Sequence, residues 1–240
     1  MKNLREQDQQ EFLQKERNIF TSPLQRRSFL QFAGASAAGI ALLAAGCKKD
    51  RDDHPHTNDG SVTLDFKNDF GILNYAYALE QLEAAFYVQV VNTPYASMPA
   101  NEMSLLTDIR DHEVAHREFF KNALSTAAIG GLEVNFSTID FGSRESVLGT
   151  AKAFEDLGVS AYNGAGKLIQ SADYLTLAGK IVSVEARHAA LIRDLISNGT
   201  FADNSVVKDN GLDTSRAPGE VLSIAGGFIK TKINVSNLPS

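Results

Sequence analysis

A chain of 240 residues with 43% hydrophobic and 22% charged residues is long enough for one globular domain with extensions, and too apolar to be disordered. Its single cysteine excludes an intramolecular disulfide and any cysteine-rich metal site, leaving histidine and carboxylates as the available metal-binding chemistry. The net charge of −6 includes a basic leader, so the remainder is more acidic still, and nucleic acid is not an expected partner.

The leader, residues 1–46, carries Arg26-Arg27-Ser28-Phe29-Leu30 ahead of a small, apolar run from Phe32 to Gly46. Positive charge, a short apolar stretch and small residues before a cut site make an export signal, and the run is too short to span a bilayer permanently. Arg26 and Arg27 with Phe29-Leu30 resemble a twin-arginine signal, and Ala44-Ala45-Gly46-Cys47 resembles a bacterial lipobox with Ala where Leu is usual. These resemblances imply export to the cell envelope or periplasm, with a lipid on Cys47 anchoring the protein to a membrane. Residues 47–65 then read as a polar, flexible tether, in which His54 and His56 are solvated.

Four helices are expected between residues 66 and 199. The first, Ile72 to Val91, holds apolar residues at helical spacing, interrupted on the same face by Glu80. A carboxylate there is costly unless it is paired or binds a metal. Glu83 lies one turn on and can share that work. Two prolines in Asn92–Pro99 separate a second helix, about Ala100 to Ala127, whose inward row is Ile109, Glu113, His116, Phe120 and Leu124. A long link with β-like character at Leu132–Phe136 follows, and Ser143 can cap a third helix reaching about Ser171. That helix contains Glu155 and Tyr162 among Gly158, Gly164 and Gly166, for which close helix contact is the expected compensation. The fourth, about Asp173 to Asn198, sets Ile181, Glu185, His188, Ile192 and Ile196 in register. Residues 200–240 form a tail with a short helix near Pro218–Ala225 and an alternating apolar segment, expected to pack on the bundle.

The two helix pairs repeat one another. Glu80 to Tyr87 and Glu155 to Tyr162 are both Glu-x6-Tyr, and each is followed one helix later by Glu-x-x-His, at Glu113/His116 and Glu185/His188. Glu and His three residues apart share a helix face and can reach one ion. Only Glu80, and not Glu83, has the tyrosine that completes the repeat. Glu80, Glu113, His116, Glu155, Glu185 and His188 thus offer two metals a carboxylate-rich shell with one imidazole each, suited to iron or manganese. Glu83, Tyr87 and Tyr162 are candidates to support those ligands. His112 has no partner pattern and reads as a surface residue or one lying behind the ligands.

Over roughly residues 66–199 these motifs resemble the rubrerythrin and bacterioferritin pattern, and the first helix, from Leu73 through Tyr87, looks most like the exported, desiccation-related ferritin-like family. The resemblance implies an all-α, ferritin-like four-helix bundle with a long crossover between helices 2 and 3. It further implies a di-iron centre, or alternatively two manganese ions, at the six residues named. The expected function is stress protection in the envelope through redox chemistry on Fe(II) with oxygen or on peroxide, a manganese catalase-like reaction being the nearest enzymatic alternative. A non-catalytic protective bundle is the other reading, and oligomer formation stays open. A lipid anchor and tether at one end argue against a closed storage shell.

Overall fold

The computed structural model describes residues 60–239. Arg26, Arg27, Cys47, His54 and His56 lie outside the described residues, and with them the expected export signal, lipid site and most of the tether. The tether ends sooner than expected: Val62–Asp65, assigned to it above, form a strand, β1, with Leu64 fully buried.

Four long helices follow: α1 (Asp69–Asn92), α2 (Ala100–Leu124), α3 (Arg144–Gly166) and α4 (Ala172–Ile196). Three of the four starts carry a side-chain cap, the exception being α2, which begins after Pro99. The Asn68 side chain accepts from the N–H groups of Phe70 and Gly71, Ser143 from Ser146, and Ser171 from Tyr174, each satisfying a backbone donor that the first helical turn leaves unpaired. The helices pair as two hairpins, α1 with α2 and α3 with α4. A single 3-10 turn, Ser125–Ala127, closes α2 before the long crossover. The third helix stops at Gly166, short of the expected Ser171, because the chain must turn and recap at Ser171 to begin α4. Among the described residues no helix is long and apolar enough to cross a membrane.

Unlike its partners, α1 is buried nearly all round, from Gly71 through Val90. Such a helix sits at the centre of the domain rather than on its rim. The side of the bundle that meets the crossover and the tail is filled by edge-to-face aromatic packing of Phe86 on Phe154, Phe136 and Tyr87, with Phe228 from the tail against Phe154. Ile196, expected in the inward row of α4, is exposed at the last turn.

The tail contributes to the fold itself. Its helix α5 (Pro218–Ala225) buries Val221 and Ala225, and β2 (Ile233–Ser236) pairs in parallel with β1, Val62 opposite Ile233 and Asp65 opposite Ser236. The crossover meets the tail through an antiparallel bridge between Val134 and Ile229. Of the α3 glycines, Gly158 and Gly166 face side chains of neighbouring helices as expected, whereas a tail contact corrects the expectation at Gly164. At Gly164 an added Cβ would lie 1.7 Å from the Arg216 carbonyl oxygen, so the tail backbone crosses the helix there. Arg216 locks that crossing, its N–H donating to the Ser160 carbonyl and its guanidinium to the Ser160 hydroxyl. At Gly158 the close neighbour is a carboxylate, and at Gly166 it is the Leu175 side chain.

Candidate metal centre

Midway along the bundle the four helices aim charged side chains at one another. Glu80, Glu113, Glu155 and Glu185 are each 0% exposed, and His188 is 4% exposed. Two sets of ligand atoms converge, each within 4.8 Å of one another: Glu80, Glu113, His116 and Glu185 in one, and Glu113, Glu155, Glu185 and His188 in the other. Glu113 and Glu185 belong to both and lie between the two positions. The structure therefore brings together all six residues that the repeat singled out.

The distances repeat as the sequence does. His116 Nδ1 lies 2.8 Å from Glu185 Oε1 and 3.5 Å from Glu80 Oε2. His188 Nδ1 lies 2.8 Å from Glu113 Oε1 and 3.5 Å from Glu155 Oε2. The tyrosines cross between hairpins: Tyr87 on α1 donates to Glu155 on α3 at 2.5 Å, and Tyr162 on α3 donates to Glu80 on α1. Each outer carboxylate thus has one oxygen held by a phenol and the other turned inward.

Burial dominates the electrostatics. It raises Glu80 to about 7 and pushes Glu185 and Glu83 well above the usual carboxylate range, with neighbouring carboxylates adding to the effect on the latter two. Burial opposes ionisation of Glu113 too, but His116 and His188 outweigh it and bring that group down to about 2. For His188 burial would favour the neutral ring, yet Glu113 and Glu155 raise it to about 10, and His116 is raised in the same way by Glu113, Glu185 and Glu80.

Eight of the nine buried side-chain atoms without a hydrogen-bond partner among the described residues belong to the six ligands, including both oxygens of Glu113 and Glu185 and both Nδ1 atoms. Buried polar groups are otherwise almost always paired. Buried carboxylate oxygens and imidazole nitrogens gathered in this way, without hydrogen bonds, have the donor chemistry of a divalent-metal site. The residues present fit such a pair.

A family model, the ferritin-like domain, matches residues 68–198. The chain belongs to the ferritin-like domain family. That match spans all four long helices and every one of the six ligands. No curated protein matches the chain.

Two features of this ferritin-like centre were not legible in the repeat. His112, read from the sequence as a surface residue or one lying behind the ligands, is the latter: it stacks on His188 with ring centroids 5.2 Å apart and places Nδ1 2.9 Å from His188 Nε2. Its adjacency to Glu113 was the available signal. Farther out, Arg144 at the start of α3 grips both oxygens of buried Glu102 on α2 and also donates to the Leu195 carbonyl of α4, while Tyr95 donates to Glu102. A second fork, Arg193 on Asp156 at 2.7 and 2.8 Å, ties α4 to α3. These forks position helices and stand apart from the ligands.

Proposed function

We propose that this chain is an exported, envelope-anchored member of the ferritin-like family, of the desiccation-related kind, whose buried centre performs redox chemistry protective under stress. The observation that carries the reading is the convergence of eight unpaired, buried ligand atoms from six residues on two adjacent points. Purely structural polar clusters close hydrogen bonds between their atoms, whereas these eight come close to one another without making any.

When bound, two iron ions, or two manganese ions, supply a site with open positions that exchanges two electrons with oxygen or peroxide. The chain's own part is to hold, shield and balance charge. Tyr162 and Tyr87 fix Glu80 and Glu155, so that one oxygen of each faces the centre. Glu113 and Glu185, which belong to both groups of ligand atoms, would be the residues shared between the two ions. Full burial of all four carboxylates excludes bulk water and strengthens every electrostatic interaction inside. Fe(II) and oxygen, or peroxide, are the proposed substrates, and the proposed lipid on Cys47 gives the membrane contact.

A second reading is favoured by one specific observation. Each histidine already stands 2.8 Å from a carboxylate, so imidazolium–carboxylate pairs can neutralise the core without metal. A protective, non-catalytic bundle would exploit that.

Elemental analysis of the full chain, purified without chelator and reconstituted anaerobically with Fe(II) or Mn(II), separates the two. About two ions per chain, lost in His116→Ala and His188→Ala, together with consumption of oxygen or peroxide by the loaded protein, supports the first reading. No metal above background under any loading condition makes the centre structural. Membrane association is tested by fractionating cells that express Cys47→Ala, which should release the protein if the lipid holds it.

A further inference from the structure

Of the buried side-chain atoms without a hydrogen-bond partner among the described residues, one lies outside the six ligands: the hydroxyl of Tyr75, on α1. Its side chain is buried, with Tyr75 1% exposed. Tyr87, Tyr95 and Tyr162 each give their hydroxyl to a carboxylate. A buried phenol normally finds such a partner, because an unpaired hydroxyl away from water is costly.

Tyr75 is a wall of a cavity inside the bundle to which all four long helices contribute, with Phe120 from α2 and Tyr162 from α3 among the other walls. The space exists because the helices meet there through small residues: Ala76 on α1, Ala161, Ala165 and Gly166 on α3, and Ala178 on α4. Its empty volume is about 350 Å³, mouth included, and it is narrow. Tyr75, Leu79 and Ala161 are buried whereas Ala76, Gly166 and Ala178 are partly exposed, so the cavity runs inward from the surface.

The walls select the occupant. No charged side chain is among them, and an ion without a partner is strongly disfavoured in apolar surroundings. The Tyr162 hydroxyl is engaged by Glu80, which leaves the Tyr75 hydroxyl as the unpaired polar group of the lining. A water molecule is held by roughly two to four polar partners and would find too few. A narrow apolar space with one unpaired hydroxyl instead suits a molecule that is apolar along its length and carries a single neutral hydrogen-bonding group. Its narrowness favours an unbranched chain over a ring.

We infer that this cavity is a binding site for a neutral aliphatic molecule, its chain lying against the small residues and its polar end on the Tyr75 hydroxyl. The occupant shares the Tyr162 wall with the proposed metal centre. The residues that would hold it are not among the six ligands, so the site can be tested without metal.

The test titrates the full, metal-free chain with primary alkanols from butanol to decanol, followed by calorimetry. Saturable binding of a single alkanol per chain should tighten about fourfold with each added methylene, then stop tightening once the alkanol outgrows the cavity. Tyr75→Phe, which keeps the ring, should weaken hexanol about fivefold and leave hexane unchanged. Ala165→Phe should abolish binding of both. Should that variant not fold, Ala178→Leu obstructs the partly exposed mouth and should weaken every alkanol. The inference is overturned by absence of saturable binding, by full affinity in a folded Ala165→Phe or Ala178→Leu chain, or by hexanoate binding as tightly as hexanol. It is equally overturned if Tyr75→Phe leaves hexanol untouched or weakens hexane as much. None of these outcomes bears on the two-metal reading, which metal content decides.

Discussion

The charged interior of the bundle and its phenylalanine-packed side, under the crossover and tail, are built on opposite principles. On that side, Phe86, Phe154, Phe136 and Phe228 meet edge to face, and burial of apolar area is the stabilising term. In the middle, four carboxylates and two histidines occupy the same depth, where desolvation opposes folding. The contrast teaches that one region holds the domain together so that the other can carry unfavourable charge. A functional core is affordable in this fold because its cost is local and its support lies elsewhere.

The sharpest way to break that contrast is to weaken the supporting side. Phe86→Ala, at 0% exposure, should destabilise the metal-free chain by about 3–5 kcal/mol, measured by urea unfolding, while the fraction still folded keeps its metal affinity. A comparable loss on truncating a ligand, as in metal-free His188→Ala, would show that the centre is itself a stabilising element.

Next in size is the forked tie between helices. Glu102→Gln weakens its bonds with the Arg144 guanidinium and should cost about 1.5–3 kcal/mol, again without altering metal stoichiometry. A change in ions bound per chain would mean that the fork positions the ligands as well as the helices.

The pH dependence of the metal-free chain should separate the regions next. Glu80, raised to about 7, binds a proton in the folded state that an unfolded glutamate releases near the ordinary value, and Glu83 and Glu185 are raised in the same sense. The stability these groups contribute is full below the unfolded value and is lost as pH rises through the folded one. His188, raised to about 10, has the same sign, its contribution fading as pH climbs from the ordinary histidine value toward 10. Glu113, held down to about 2, has the opposite sign: its contribution is full above the ordinary carboxylate value and is lost only as pH falls from there toward 2. Thermal unfolding of the metal-free chain should therefore move to lower temperature between roughly pH 5 and pH 8. Metal affinity should rise across the same interval, because loading expels those protons. A metal-free melting temperature that rises with pH would contradict this assignment of charges.

The smallest expected effect is at the phenols. Tyr162→Phe removes one hydrogen bond to Glu80 and should change stability by about 1 kcal/mol. Its clearer readout is a loosened Glu80 carboxylate, seen as broadening of the Co(II) spectrum of the loaded chain.

Much of this design was legible in the sequence because the signals are local. Glu80, Glu113, Glu155 and Glu185 interrupt apolar helical rows, each Glu-x-x-His lies within one turn, and the repeat between hairpins tells ligand from neighbour without any three-dimensional information. Ser143 likewise announces the start of α3. What stayed hidden depends on residues far apart in the chain. Val62–Asp65 reads as the end of a polar tether because its partner, Ile233–Ser236, lies at the other extremity of the domain. Gly164 looks like a helix-packing glycine until Arg216 crosses it. A short strand or a lone glycine carries little information by itself. Its meaning lies in what approaches it.

The crossed phenols carry one last consequence. Tyr87 serves the carboxylate of the other hairpin and Tyr162 returns the service, the reciprocity seen when identical surfaces meet about a twofold axis. Neither α1–α2 nor α3–α4 holds a finished set of ligands, so each hairpin is half of an inorganic site and template for the other half. The centre has the logic of a homodimer written into one polypeptide, and the crossover between Ala127 and Arg144 is the seam that joins its two similar halves.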